Sequence, residues 1–144
     1  MSSLAKKMDS FSLRLFDMES DYPLMRKWWT GYGKKTPAKG MLSDTGLVVE
    51  YDRPVLMAWL YISNSKLAQI GFIVGDPEVY AGTKIAAISY MCQAAKDLLR
   101  RKGIEYVHCY SDQAGLTRAL NASGFDILSS HDFLMLKLGE EPWE

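Results

Sequence analysis

The chain has 144 residues, enough for one domain with a buried core, and 48% of them are hydrophobic. Its 17 basic and 17 acidic residues balance to a formal charge of zero, which argues against a dedicated nucleic-acid binder. The longest apolar stretch, Pro54 to Ile62, is far shorter than the roughly 20 residues that cross a bilayer. Two cysteines and a start without an apolar signal segment favour a reducing compartment. We therefore expect a cytoplasmic protein with no nucleic-acid or membrane partner.

The first part of the chain predicts a strand, a helix and a loop. Phe11 to Phe16 alternates apolar and polar side chains, as a half-buried strand does. Pro23 predicts the start of a helix, because the first helical turn tolerates a missing N–H group. Gly31 to Gly46 is rich in glycine and lysine, which predicts a mobile loop.

Three strands are predicted next, as a meander over Leu47 to Tyr51, Val55 to Ile62 and Leu67 to Val74. Gly75-Asp76-Pro77 ends the last of them. A long helix is predicted from about Gly82 to Lys102. Its apolar stripe comprises Ile85, Ile88, Cys92, Ala95 and Leu99.

The last part predicts a strand over Ile104 to Tyr110 and a short helix from Gln113 to Ala122 that Asp112 caps. Phe125 to Leu128 and Phe133 to Leu138 predict two closing strands, and we expect flexible ends at residues 1–10 and 139–144. The order β-α-loop-β-β-β-α-β-α-β-β indicates one α/β domain, an α+β mixed sheet of about seven strands with helices on both faces.

Two segments resemble the GNAT N-acetyltransferase superfamily, and the resemblance spans about residues 11–138. Ala68 to Ala86 is similar to the family's fourth strand and pyrophosphate loop, including the Asp-Pro-Glu at residues 76–78. Asp112 to Phe125 is similar to the family's penultimate helix with its terminal Gly-Phe. The resemblance implies a GNAT-like fold whose fourth and fifth strands splay apart, with acetyl-CoA as cosubstrate in the opening.

The implied acetyl-CoA site lies at the start of the long helix, where unpaired N–H groups and the helix dipole suit a pyrophosphate. The family's loop reads Arg/Gln-x-x-Gly-x-Gly/Ala. Here Ala81 and Lys84 replace the Arg/Gln and the first glycine, so that the Lys84 ammonium could either clash with the phosphates or pair with them. The residues implied in cofactor binding are Phe72, Ile73, Val74, Tyr80, Ala81, Gly82, Thr83, Lys84, Ile85, Ala86 and Gln113.

Two positions that are usually catalytic in the family hold residues that cannot transfer a proton here. Gln69 aligns with the usual acid, and Leu120 aligns with the usual tyrosine. His108 and Tyr110 alternate on one face of the predicted fifth strand and could replace them as base and proton donor. The alternative is that both are ordinary strand residues. Glu50 could act as a base through water, or be a solvated turn residue.

Backbone and aromatic groups complete the implied site. In the family a backbone N–H of the splayed fourth strand polarises the thioester carbonyl, and Ile73 or Val74 would supply it here. Trp28, Trp29 and Tyr32 lie where the family covers its acceptor pocket, and they either stack on a substrate or fill core.

The cysteines and histidines give no further site. Cys109 is not expected to pair with His108, because adjacent strand residues face opposite sides of a sheet. Cys92, Cys109, His108 and His131 lack metal-ligand spacing, so we expect no metal site.

Two functions stay open at this point. The first is an N-acetyltransferase that transfers an acetyl group from acetyl-CoA to a primary amine of a small molecule or a protein. The second is a catalytically inactive GNAT-fold module for binding or assembly, for instance one encoded by a phage. Gln69 and Leu120 favour the module, whereas the strand break, Gly82 and the helix start favour the enzyme. An unrelated α+β domain is a third reading, and a homodimer is left open.

Overall fold

The computed structural model describes residues 10–129, 135, 136, 138 and 139. In chain order its elements are β1 (Ser12–Leu15), α1 (Met18–Gly31), a 3-10 turn (Lys39–Met41), β2 (Gly46–Tyr51), β3 (Arg53–Ile62), β4 (Leu67–Gly75), α2 (Ala81–Arg101), β5 (Tyr106–His108) and α3 (Ala114–Ala122). The predicted order is therefore confirmed from the first strand to the short helix. No helix within these ranges is long and apolar enough to span a membrane.

Within the described residues the sheet has five strands in the order β1-β2-β3-β4-β5, rather than about seven. The first four are antiparallel neighbours, and β5 runs parallel to β4 after the α2 crossover. The predicted strand over Phe125 to Leu128 is absent, because Ile127 and Leu128 are exposed and not packed on the sheet. The strand predicted over Phe133 to Leu138 lies largely outside the described residues.

Helices cover both faces of the sheet, as predicted, and each face has its own core. The face under α1 buries Tyr22, Met25, Trp28, Val48, Met57, Trp59 and Val74. The face under α2 buries, among others, Leu47, Val49, Leu56, Ala58, Leu60, Ala68 and Ile70 from the strands and Ala86, Ile88, Met91, Cys92, Ala95 and Leu99 from α2. Because the two sets alternate along β2 and β3, each strand sends successive side chains to opposite cores.

The start of α1 differs from the prediction. The helix begins at Met18, with Asp17 as N-cap: its carboxylate accepts the N–H of Ser20 at 2.9 Å. Pro23 lies inside the helix. A carboxylate at the N-cap satisfies an otherwise unpaired N–H, so it sets the helix start more strongly than a proline that is merely tolerated nearby.

The α2 helix ends as predicted, but one residue of its predicted apolar stripe, near the helix start, is exposed. Arg100 and Arg101 lie in the last turn, and Gly103 has a φ of +77°, the left-handed conformation that glycine adopts at little cost. Ile85 is 53% exposed, although the stripe prediction placed it in the core. It belongs to the first turns of α2, which border a cleft beside β4 and β5 instead of covering the sheet.

The end of the described chain also departs from the local pattern. β5 is only three residues long, because β4 provides pairing partners no further than Gln69. Asp112 does not cap α3; the N-cap is Gln113, and the Asp112 carboxylate instead pairs with Lys34 at 2.6 Å. Residues 36–38 of the predicted mobile loop are buried.

Candidate functional site

The cleft begins where β4 and β5 stop pairing. The two strands are in parallel register from Leu67 opposite Tyr106 to Gln69 opposite His108, while β4 continues to Gly75 paired with β3 but not with β5. The predicted divergence of these strands is thus present. The opening is walled by the second half of β4, the residues that follow β5, and the starts of α2 and α3.

A β-bulge lies in β4 at the point where the cleft opens. Ala58 of β3 opposes two residues of β4, Phe72 and Ile73, because the register shifts between Met57 and Trp59. Phe72 has a φ of +53°, a left-handed conformation that is uncommon for a residue with a side chain. Bulges and strained backbone of this kind re-aim backbone groups and are over-represented beside active sites.

Hydrogen bonds at the end of β4 show which way its backbone groups point. The Asp76 N–H donates to the Val55 carbonyl at 3.0 Å, so Asp76 faces β3. The Gly75 carbonyl accepts the Tyr32 O–H at 3.1 Å, so Gly75 faces away from β3. Ile73 lies two positions before Gly75, in the bulge itself. Both residues predicted to donate to a thioester carbonyl, Ile73 and Val74, border the cleft.

The start of α2 offers backbone donors to the same cleft. The Tyr80 carbonyl at the N-cap accepts the N–H groups of Thr83 and Lys84 at 3.0 and 3.2 Å. The N–H groups of Ala81 and Gly82 come before them and have no preceding helical carbonyl to bond. A Cβ on Gly82 would lie 2.5 Å from Cε1 of Tyr80, so glycine allows the tyrosine ring to lie against the helix start.

The other predicted cofactor residues divide between the cleft and the core, except that Tyr80, Gly82 and Thr83 lie at the helix start beside the cleft without lining it. Ile73, Val74 and Ile85 line the cleft, whereas Ala86 is fully buried in the core under α2. Gln113 lies exposed on the opposite wall, at the N-cap of α3, where its carbonyl accepts the Thr117 N–H at 2.9 Å.

Lys84 turns away from the helix start. Its side chain crosses Gly75, where an added Cβ would lie 2.8 Å from the lysine Cδ. Its ammonium donates to the Tyr32 hydroxyl at 3.2 Å and lies 5.7 Å from the centroid of the tyrosine ring. Within the ranges that the structure describes, no carboxylate pairs with this ammonium.

His108 is the last residue of β5 and Tyr110 lies two residues beyond the strand rather than on it as predicted, but both line the cleft. Their ring centroids are 5.7 Å apart in an edge-to-face arrangement with an interplanar angle of 87°. Gln69 is the partner of His108 in the parallel register, and both residues line the cleft. The structure therefore brings the two predicted proton-transfer groups together next to the position that lacks the family's acid.

Of the three predicted aromatic residues, two reach the cleft. Trp29 and Tyr32 line it, while Trp28 is buried in the core under α1 because successive helix residues point about 100° apart. The Trp29 ring meets the Phe72 ring edge-to-face at 6.5 Å. Tyr61 supports Phe72 from the other side at 6.2 Å.

Glu50 and Leu120 lie away from the proton-transfer pair. Glu50 is on β2, separated from β5 by two strands, and its carboxylate accepts the Nε of Arg14 at 3.2 Å. The structure does not bring it together with His108. Leu120 is buried in the core between α3 and α2.

Neither cysteine is an activated nucleophile. Burial raises the pKa of the Cys109 thiol to about 12 and also raises the pKa of Cys92. Cys109 packs against the α2 core, whereas His108 lies with Tyr110, so the two do not form a dyad. Among the described residues, no group of three or more His, Cys, Asp or Glu is arranged to hold a metal ion.

Two features of the site could not be predicted from the sequence. Lys34 and Asp112 pair across the cleft between segments that are 78 positions apart. The bulge at Phe72 could not be predicted either, because phenylalanine is not a residue that prefers positive φ. Tyr61 could have been found, because it alternates with Trp59 along β3 and so shares the face under α1.

No family model matches the chain, and none of the curated proteins matches it in sequence. Solved structures do match. A probable acetyltransferase superposes with a TM-score of 0.61 at 14% identity, over 90% of this chain and 99% of its own. The fold is that of the GNAT acetyltransferases. This confirms, at the level of fold, the resemblance carried by Ala68 to Ala86 and Asp112 to Phe125.

Two further GNAT-fold structures cover the chain to the same extent. A GNAT-family acetyltransferase from Streptococcus pneumoniae has a TM-score of 0.57 at 10% identity, over 90% of this chain and 99% of that one. Glucosamine-6-phosphate N-acetyltransferase from Arabidopsis thaliana has a TM-score of 0.54 at 11% identity, with the same coverage. Identities this low establish the fold and leave the activity to be argued from the site.

Proposed function

We propose that the chain is an N-acetyltransferase that uses acetyl-CoA to acetylate a primary amine of a small molecule or a protein. The observation that carries this proposal is the cleft at which β4 leaves β5, with the bulge at Phe72 on one side and the start of α2 on the other. Because both cysteines are free, the proposal includes a cytoplasmic location.

The residues of the cleft fit acetyl-CoA, which supplies an activated acetyl thioester when bound. The first-turn N–H groups of Ala81 and Gly82, at the positive end of a 21-residue helix, suit its pyrophosphate. Ile73 lines the cleft in the bulged part of β4, and we assign to its N–H the donation to the thioester carbonyl oxygen as negative charge develops. Phe72 and Val74 flank that donor.

His108 and Tyr110 have the chemistry that the transfer needs. Neutral His108 accepts the proton that the amine nitrogen loses as it bonds to the acetyl carbon. Tyr110 donates a proton to the sulfur as the carbon–sulfur bond breaks, so that the products are an amide and the free thiol of CoA. Both residues then recover their starting protonation states by exchange with water.

A thiol-release assay across a panel of primary amines tests this proposal. We expect acetyl-CoA-dependent turnover with at least one amine, together with an acetylated product of the expected mass. An absence of both turnover and acetyl-CoA binding would contradict the proposal, since the cleft would then serve neither cosubstrate nor reaction.

A second candidate is a GNAT-fold module that binds without catalysing. It is favoured by Gln69 and Leu120, since an amide next to His108 and a buried leucine in α3 cannot serve as acid or base. Acetyl-CoA binding with no turnover on any amine would favour this candidate over the enzyme.

A further inference from the structure

The wall of the cleft on the α1 side is both aromatic and basic. Trp29, Tyr32 and Phe72 provide its aromatic surface, and Lys34, Lys35 and Lys84 are its cations. Lys34 is already paired with Asp112. Lys84 is different, because among the described residues its ammonium contacts only the hydroxyl and the ring of Tyr32.

The Tyr32 hydroxyl, itself held by the Gly75 carbonyl, fixes the position of the Lys84 ammonium. The Tyr32 O–H donates its own proton to the Gly75 carbonyl, so the hydroxyl lone pair is left to accept from Lys84. An ammonium has three donors, and this contact uses one of them. A half-buried cation with donors to spare and no carboxylate partner among the described residues favours an oxyanion as its ligand.

Two sources could supply such an oxyanion: a phosphate of CoA or a carboxylate on the acceptor. Lys84 leaves the first turn of α2, where Ala81 and Gly82 offer their N–H groups, and reaches across Gly75 to Tyr32. Its charge thus lies on the aromatic wall that holds Trp29, on the α1 side of the cleft.

We propose that the acceptor is a small amine that also carries a carboxylate, and that Lys84, held by Tyr32, binds this carboxylate. The inference rests on the proposed function. Trp29 and Phe72 would contact the apolar body of the acceptor, with its amine towards His108. Gln69, the strand partner of His108, lies six positions before Gly75, about 20 Å along β4, so the amine and the carboxylate of the acceptor must be several carbons apart. Such a site selects a long-chain amino-carboxylate over an α-amino acid, a purely cationic amine or a protein lysine.

Matched acceptor pairs test the proposal, for example ε-aminocaproate with its amide and δ-aminovalerate with its amide. For each pair, the kcat/KM of the acid is divided by the kcat/KM of the amide, and this ratio is compared between the wild type and Lys84→Met. The comparison cancels the difference in basicity between the amino groups of the acid and the amide. We expect the ratio to fall by about tenfold or more in the variant, mainly through KM, since a charge-assisted hydrogen bond is lost.

Lys27→Met is the matched control, since Lys27 is an exposed lysine of α1 and does not border the cleft. It should leave the ratio unchanged. Tyr32→Phe removes the hydroxyl that holds the ammonium and should lower the ratio as well. A ratio that stays the same in Lys84→Met would overturn the proposal.

A binding experiment distinguishes this proposal from the proposed function. Phenylacetate and phenylacetamide are titrated by ligand-observed NMR, and acetyl-CoA by calorimetry, on the wild type and Lys84→Met. We expect phenylacetate to bind better than phenylacetamide only when Lys84 is present, with the Kd of acetyl-CoA unchanged. Weaker acetyl-CoA binding in Lys84→Met, with no preference for phenylacetate, would assign the ammonium to a CoA phosphate and overturn the inference.

Failure of the carboxylate site and failure of the proposed function give different results. If no amine is acetylated but phenylacetate binds in a Lys84-dependent way, the proposed function fails while the carboxylate site stands. If amines are acetylated but the probes bind equally well, the carboxylate site fails while the acetyltransferase stands.

Discussion

At the scale of single residues, His108 has the role that is easiest to test. Its ring contacts Tyr110 at the mouth of the cleft, and its strand partner Gln69 cannot replace it as a base. In the part of the chain that the structure describes, the other predicted base, Glu50, is held by Arg14 at the far side of the sheet.

We expect His108→Ala to lower kcat by about 10²- to 10⁴-fold, the usual loss for one general base. Tyr110→Phe should slow the same reaction, while Tyr106→Phe, at an exposed tyrosine of β5, should not. Steady-state kinetics measures all three variants, and unchanged turnover in His108→Ala would discard this base.

Cys109 gives a second test at this scale. Partial burial raises the pKa of its thiol to about 12, so the reactive thiolate is scarce at pH 8, while Cys92 is buried. Alkylation by iodoacetamide, followed by mass spectrometry, should therefore be much slower in the folded chain than in guanidinium chloride. Rapid alkylation of the folded chain at Cys109 would contradict the raised pKa of its thiol.

At the scale of elements, an ion pair joins β1 to the first turn of α1. The Arg14 guanidinium donates to both carboxylate oxygens of Asp21, at 2.7 and 2.8 Å, and Asp21 also accepts the Asp17 N–H. The hydrogen bond from Arg14 is the main reason why the pKa of Asp21 is lowered.

Asp21→Asn should lower the free energy of unfolding by about 2–3 kcal/mol, because it leaves a partly buried guanidinium without its bidentate partner. Urea unfolding measures the change, with Glu19→Gln in the same turn as an exposed control. The folded-state pKa of Asp21 lies below its unfolded value of about 3.9, so the stabilisation is present above that pH and is lost as pH falls through the folded pKa. Equal stability of Asp21→Asn and wild type at pH 7 would contradict this role.

The elements that the sequence predicted well are those whose signal is local and repeated. β3 and α2 have long, regular apolar patterns, and their cores lie where those patterns point. The start of α1 was placed wrongly because Asp17 and Pro23 both signal a helix start, and periodicity alone does not rank them. Asp112 was assigned to the cap of α3 because its partner Lys34 lies far away in the sequence.

At the scale of the whole molecule, the cleft was predictable from the resemblance but its inner shape was not. The meander of β2, β3 and β4 follows from the element pattern, and the divergence after Gln69 is what the resemblance implied. The left-handed Phe72 and the reach of Lys84 to Tyr32 depend on tertiary packing between β4, α2 and α1, which no local pattern encodes. The grouping of Trp28 with Trp29 failed for a local reason, because successive helix residues point about 100° apart and only Trp29 faces the cleft.

The binding of acetyl-CoA in the β4–β5 cleft is tested most directly by isothermal titration calorimetry. We expect saturable binding to the wild type and much weaker binding to Gly82→Pro, which removes a first-turn N–H and displaces the Tyr80 ring. Glu19→Pro puts proline at the same position of α1, away from the cleft, and should bind normally. No binding to the folded wild type at millimolar acetyl-CoA would contradict the proposed site.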